Sequence, residues 1–373
     1  MKGIYIHIPF CTKKCPYCDF YSAVGVDFLK EKYIAALRAE LEVFSNLYDL
    51  SAVKTLYFGG GTPSSLPPSL YERLFKYLSE FISLENLEEI TIEVNPESYS
   101  LDDFKTLRGL GFNRISLGVQ SFDDETLKVL GRTHDAKTSL VALENIHRAG
   151  FENISVDLIW GVPEQTPERL RGEFEVLKNT PAVHLSAYKL TLYEDTPLYR
   201  LARRGRFKLP TEGEIEKLYY TLLEEAERLG FERYEISNFA KGRRYFSKHN
   251  LLYWRLEPFL GLGASAWSFD GKRRWANPRP VERYLEKLKN PARSAGVDFI
   301  AEEIVELDER ELLKERIIMG LRTTEGVERG LVEDKLPKEY LEEFFTLRGD
   351  RIAFNDRGFL VSNYLLSEIL SGL

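Results

Sequence analysis

The three cysteines of this 373-residue chain, Cys11, Cys15 and Cys18, fall within the stretch CTKKCPYCDFYS. Thiolates are soft ligands that suit zinc or iron–sulfur clusters. A structural zinc site normally takes four protein ligands, and no fourth cysteine exists to supply one. His7, the nearest imidazole, sits inside a strand-like run. Three thiolates on a four-iron cube leave one iron without a protein ligand, open to a substrate or cofactor. An odd set of thiols spaced this closely does not read as a disulfide framework.

Other polar residues fall at regular places. Gly59, Gly60, Gly61 and Thr62 follow the second apolar run, and Glu93 and Asn95 close the third. Gln120 and Ser121 follow the fourth, Asp157 lies in the fifth, and Lys189 and Thr191 end the sixth. A glycine run lets a ligand approach the backbone closely. Glu93 and Asp157 suit amine and ribose hydroxyl groups, and Arg132 in LGRTHD suits a carboxylate held by two hydrogen bonds. Taken singly, these are a strand-end charge, a helix-end charge and a turn. Together they describe a pocket for an amino acid joined to a nucleoside, next to a cluster.

The elements that must position these residues alternate. Short Ile-, Val-, Leu- and Tyr-rich runs at Gly3–Phe10, Thr55–Phe58, Glu89–Val94, Arg114–Val119, Ile154–Trp160 and His184–Leu192 read as strands. Helical periodicity fills the intervals, as at Phe28–Leu47, Leu101–Leu110 and Pro167–Asn179. Such alternation predicts an α/β fold with a parallel sheet, a partial (β/α)6 barrel. In a parallel barrel all the strand ends named above point to one face, where active sites form. A charged helix is expected at about Thr211–Leu229 and a linker at about 291–306. A small helical, winged-helix-like domain should follow, with a hairpin in RIAFNDRGFLVSN. The expected units are residues 1–225, 226–300 and 301–373.

Composition narrows the function. The chain is 43% hydrophobic and 29% charged, as soluble globular domains are. Its net charge of −7 argues against a protein held to nucleic acid by phosphate contacts. No apolar run is long enough to span a membrane, and MKGIYIHIPF does not read as a signal peptide, so a cytoplasmic protein is expected.

The motifs YIHIPFC, YCDF, GGGTPS, GVQSFDDE, LGRTHD and DLIWGVPEQT resemble those of the radical S-adenosylmethionine (SAM) superfamily, and within it the HemN/HemW group. That resemblance implies a [4Fe-4S] cluster on Cys11, Cys15 and Cys18, with SAM on the fourth iron. It implies SAM contacts at Tyr5, Tyr17, Gly60, Gly61, Thr62, Glu93, Gln120, Arg132 and Asp157. HemN-type members are oxygen-independent coproporphyrinogen III dehydrogenases, and HemW-type members are haem chaperones. Three features favour the second branch. Phe20 stands where HemN-type sequences carry a further cysteine. Tyr5 is almost at the start, leaving no room for the dehydrogenase N-terminal extension. HNLLYW (His249–Trp254) matches a HemW-type motif linked to haem binding. Imidazole is a common axial ligand, and the motif match, not the spacing, implies His249 as the haem-iron ligand. In a helix Tyr253 would share its face, and with Trp254 cover the macrocycle. Arg243, Arg244 and Tyr245 would suit the propionates.

The expectation is a haem chaperone that passes haem to haem-dependent acceptors, respiratory proteins at the membrane among them. A homodimer is compatible with the sequence. Coproporphyrinogen III dehydrogenation is the alternative activity. An RNA-modifying radical SAM enzyme is disfavoured by the acidic charge.

Overall fold

The computed structural model of the chain describes residues 1–289 and 296–372. In chain order its strands are β1 (Gly3–Ile8), β2 (Phe10–Cys11), β3 (Ala23–Val24), β4 (Thr55–Gly60), β5 (Glu89–Val94), β6 (Arg114–Gln120), β7 (Asn153–Trp160) and β8 (His184–Lys189). They continue as β9 (Glu232–Arg233), β10 (Asn238–Ala240), β11 (Phe259–Leu262), β12 (Trp267–Phe269), β13 (Arg273–Ala276), β14 (Glu303–Glu306), β15 (Val327–Glu328), β16 (Phe345–Arg348) and β17 (Arg351–Phe354). The helices are α1 (Lys30–Leu47), α2 (Pro68–Leu78), α3 (Leu101–Leu110), α4 (Asp124–Val129), α5 (Ala136–Arg148), α6 (Pro167–Leu177) and α7 (Pro197–Arg203). Then come α8 (Glu212–Arg228), α9 (Lys248–Trp254), α10 (Val281–Lys287), α11 (Glu309–Leu321), α12 (Lys338–Phe344), α13 (Asp356–Leu360) and α14 (Ser362–Ser371).

Alternation along each strand builds the layers. Ile4, Ile6, Leu56, Phe58, Ile90, Ile92, Ile115, Leu117, Ile154, Val156, Leu185 and Ala187 are buried in one core with the apolar stripes of the flanking helices. The residues between them are polar or aromatic: Tyr5, Thr55, Tyr57, Glu89, Glu93, Arg114, Ser116, Ser155, Asp157 and Ser186. Successive residues of a strand face opposite sides, so this second set shares the inner face of the sheet. The inner face is a buried polar network, centred on Arg114, which is 1% exposed.

The α/β fold with a mostly parallel sheet is as expected. Strands β1, β4, β5, β6, β7 and β8 lie side by side and parallel. A seventh parallel strand, β11, adds next to β1, with Gly3 opposite Phe259. This strand was hidden in an aromatic-rich run that gave no period-2 signal. Antiparallel strands extend both edges, β12 to β14 beyond β11 and β10 and β9 beyond β8. Of the linker expected at 291–306, residues 291–295 lie outside the described residues, and Glu303–Glu306 form the edge strand β14.

The C-terminal segment packs α11–α14 around a separate sheet of order β15–β17–β16. The expected hairpin is displaced. Arg351–Phe354 pairs backward with Phe345–Arg348, and Asn355 begins α13 by accepting the Gly358 amide at 2.9 Å. Asparagine at that point acts as a helix cap and not as a turn residue.

Candidate functional site

The cysteine loop leaves the carboxyl end of β1. Strand β2 pairs in parallel with β3, which closes the loop at its base. Ala23 N donates to Pro9 O at 2.7 Å, Cys18 N to Cys15 O at 3.1 Å, and Leu198 N of α7 to Pro16 O at 2.8 Å. All three thiols are half-buried. Burial pushes the Cys11 and Cys18 thiols up, with a hydrogen bond from the Phe20 amide partly opposing this at Cys18. Among the described residues no three thiol, imidazole or carboxylate groups converge as ligands of one metal ion. A four-iron cube does not ask for that, because each thiolate binds a different iron.

Neighbouring strand ends meet this loop. Thr62 Oγ1 lies 3.2 Å from Cys11 Sγ. Gly61 is pressed on the loop so tightly that a Cβ there would stand 2.8 Å from the Pro9 carbonyl and 3.1 Å from Cys11 Sγ. Gly60 has φ +119°, and its Cβ would stand 2.7 Å from the His7 ring. Only glycine meets both demands. Arg132 Nη1 donates to Cys15 Sγ at 3.5 Å, and Nη2 donates to Asn95 Oδ1 at 2.8 Å and to Gly118 O at 3.2 Å. Its Nε is buried without a partner. Tyr17 sits against the same guanidinium; burial raises its phenol, with Arg132 opposing.

Glu93 Oε1 accepts from Tyr57 OH at 2.8 Å, and Oε2 from Gly60 N at 3.2 Å. Burial raises this carboxyl to about 7, and nearby Asp157 adds to the rise. Asp157 is itself raised by burial, against hydrogen bonds from Ser186, Ser116 and Ser155. Gln120 follows a break in the β6–β7 register and takes φ +65°, a left-handed conformation rare outside glycine. Such strain gathers at ligand sites. Tyr5 stacks on Tyr57 with ring centroids 6.1 Å apart and shares a hydrogen bond with His7 Nδ1 at 3.0 Å.

The residue types and close approaches fit a cluster with SAM beside it. Three thiols stand at the mouth of the sheet, an orphaned guanidinium nitrogen faces a ligand carboxylate's needs, and glycines clear the backbone. Cys11, Cys15, Cys18, Tyr5, Tyr17, Gly60, Gly61, Thr62, Glu93, Gln120, Arg132 and Asp157 are joined one to the next by the contacts above or through Tyr57, Gly118 and Asn95.

The HNLLYW segment lies elsewhere. It forms α9, against the amino ends of β1, β4 and β5. His249 is completely buried. Its Nδ1 shares a hydrogen bond with Thr55 Oγ1 at 2.7 Å, and its Nε2 with Tyr253 OH at 2.8 Å. Its ring stacks on Tyr57, centroids 5.2 Å apart. Burial lowers the imidazole to about 3, so it is neutral. Glu89 accepts the Lys248 amide at 2.9 Å and the His249 amide at 3.0 Å, capping α9 from another strand. Tyr253 and Trp254 are half-buried, Tyr253 edge-on to Phe259 at 4.6 Å. His249 and Tyr253 do share a face, but that face is turned into the protein. The sequence reading missed Thr55, Tyr57, Glu89 and Arg114. Their inward register on alternate strand positions was the available signal.

Comparison with known proteins agrees with this geometry. Residues 5–177 match the Radical SAM superfamily. Over its whole length the chain has the fold of the coproporphyrinogen III oxidase HemN from Escherichia coli, with a TM-score of 0.79 at 23% identity, covering 90% of that chain. Fold and site thus define a radical SAM protein, a class whose members carry a [4Fe-4S] cluster and SAM. The "Heme chaperone HemW" of Lactococcus lactis is 34% identical over 99% of this chain and 97% of that protein. That of Bacillus subtilis is 35% identical over 90% and 87%. A zebrafish (Danio rerio) relative, "Radical S-adenosyl methionine domain-containing protein 1, mitochondrial", is 30% identical over 95% and 82%. The chain belongs to the HemW family.

Proposed function

We propose that this protein is a haem chaperone that binds haem and hands it to haem-dependent acceptor proteins. The observation that carries this reading is its 34% identity to a heme chaperone over nearly the full length of both chains. HNLLYW, intact on α9, supports it. Respiratory proteins at the membrane are the acceptors we propose. Among the described residues no helix is long and apolar enough to cross a membrane.

A bound [4Fe-4S] cluster with SAM supplies one-electron chemistry at the SAM sulfonium. The residues here hold the partners of that chemistry. Cys11, Cys15 and Cys18 ligate the cluster in this proposal. Arg132, with its free Nε, takes the SAM carboxylate. Glu93, Gln120 and Asp157 serve the amine and ribose, Gly60, Gly61 and Thr62 let the ligand reach the backbone, and Tyr5 and Tyr17 flank it. The buried aromatic column of Tyr57 and His249 joins Glu93 to α9.

Axial ligation of haem by His249 asks that one ring nitrogen be released. Tyr253 OH is the partner whose removal frees Nε2. Haemin titration of the reconstituted protein, followed by transfer to a haem-depleted respiratory oxidase, tests the function. Tyr253→Phe should keep or strengthen the Soret shift, and His249→Ala should lose it while the cluster absorbance stays. Equal haem binding and transfer by His249→Ala ends the ligand role of His249. Protoporphyrinogen formation from coproporphyrinogen III by the anaerobic, reduced protein would overturn the chaperone reading.

A further inference from the structure

The outward face of α9 lines a cavity that no residue of the SAM site enters. Lys248, Leu251 and Arg255 recur at helical spacing on that face. The cavity holds about 480 Å³, and a neighbouring one of about 170 Å³ shares Arg255 and Glu325 with it. They lie between the sheet and the C-terminal segment, a favoured place for ligand sites. Seven basic and three acidic side chains line the two together, a local charge of +4 in a chain of net −7.

Most of these cations are already committed. Arg255 pairs with Glu325 at 2.5 Å, Lys248 with Glu88 at 2.6 Å, and Arg233 with Asp356 at 3.0 Å. Arg243 and Arg348 differ. Arg243 makes no hydrogen bond or ion pair among the described residues, its charge acting only at longer range on Glu325, and Arg348 donates there only to the Thr324 carbonyl at 3.1 Å. Both are exposed. Arg243 follows Gly242 in the turn before α9, and Arg348 closes β16 in the C-terminal segment. The larger cavity, which both line, has the apolar Phe246, stacked on Tyr234 at 4.1 Å, and Leu251 in its wall, and Trp254 lines the smaller.

Two guanidinium groups without a carboxylate hydrogen bond, lining one cavity with apolar Phe246 and Leu251, match a flat, apolar ligand that carries two carboxylates. We propose that this cavity is the propionate-anchoring site for a dicarboxylate tetrapyrrole, with Arg243 and Arg348 as the carboxylate partners. The assignment rests on the haem reading above. It places the carboxylate end of the cargo at the junction of sheet and C-terminal segment, on the side of α9 away from His249, a docking position distinct from iron ligation by His249, which needs that ring turned out of its present packing. Arg244, whose guanidinium lies over Tyr245 at 4.5 Å, is not among the lining residues.

The test compares haemin with haemin dimethyl ester, whose carboxylates are blocked. Wild type and Arg243→Gln/Arg348→Gln are titrated with each, at low and moderate salt. A charge-assisted hydrogen bond contributes about tenfold or more in affinity. Wild type should therefore prefer haemin over the ester by about tenfold or more, with the preference falling as salt rises. The double variant should bind both at the affinity of the ester. Arg348→Glu should weaken haemin further and leave the ester unchanged. Equal binding of both ligands by wild type, or an unchanged preference in the double variant, overturns the site while the haem reading stands. Wild type binding neither ligand overturns both.

Discussion

At the residue scale, Glu93 joins the two halves of the inner face. Its carboxyl, raised by burial to about 7, accepts from Tyr57 on one side and Gly60 N on the other. Only the ionised form attracts a cation, and the ionised fraction of a group with this midpoint grows about tenfold from pH 6 to 8. The ratio of SAM affinity in wild type to that in Glu93→Gln should rise by a similar factor over that interval. A ratio flat with pH would detach Glu93 from the SAM amine. Few of these roles depend on the side chain alone. Glu93 and Asp157 are recognisable as carboxylates in the sequence, but their raised pKa values come from burial by other strands.

At the element scale, packing of single helices depends on buried polar partners. Glu40 of α1 is fully buried and accepts from Gly263 N at 2.8 Å, Tyr284 OH at 2.6 Å and Asn277 Nδ2 at 2.5 Å. It thereby ties α1 to the end of β11, to the residue after β13 and to α10. Burial raises this carboxyl to about 7 from an ordinary 4.5. The folded state then holds a proton between those pH values that the unfolded chain has released. Stability falls as pH climbs through that window and levels off above it. Glu40→Gln cannot titrate, so relative to wild type it should gain on the order of 3 kcal/mol from pH 4 to 8. Urea denaturation at the two pH values checks this, and an equal difference at both would refute it. Helix α9 shows the same logic from outside: Glu89 of β5 caps it, so the orientation of HNLLYW is set by a strand more than 150 residues earlier.

At the scale of the whole molecule, the C-terminal segment is held to the sheet by an aromatic and ionic joint. Arg233 lies 5.2 Å from the Tyr219 ring centroid, 5.3 Å from Phe239 and 4.8 Å from Phe359, and pairs with Asp356. The neighbouring backbone adds Ile236 N to Arg322 O at 2.8 Å and Thr324 N to Tyr234 O at 3.0 Å. Arg233→Met removes the charge and keeps most of the volume. It should cost roughly 2 kcal/mol at this joint and raise proteolytic cleavage of the C-terminal segment about thirtyfold. Unchanged cleavage would mean that the backbone bridges alone hold the joint. The sequence by itself determined what is local or periodic. The cysteine spacing, the glycine run after the second strand and the alternation of strand and helix all follow from neighbouring residues, because cluster ligation, close backbone approach and βαβ pairing are short-range demands. Register, partner and direction belonged to the tertiary structure. Spacing put His249 and Tyr253 on one face of a helix, but only the packing of α9 against Thr55, Tyr57 and Glu89 decided that this face turns inward. The opposite face, with Arg243 and Arg348 brought together from segments 105 residues apart, became a cavity wall for the same reason: contacts between distant parts of a chain are chosen by three-dimensional packing, which no local pattern encodes.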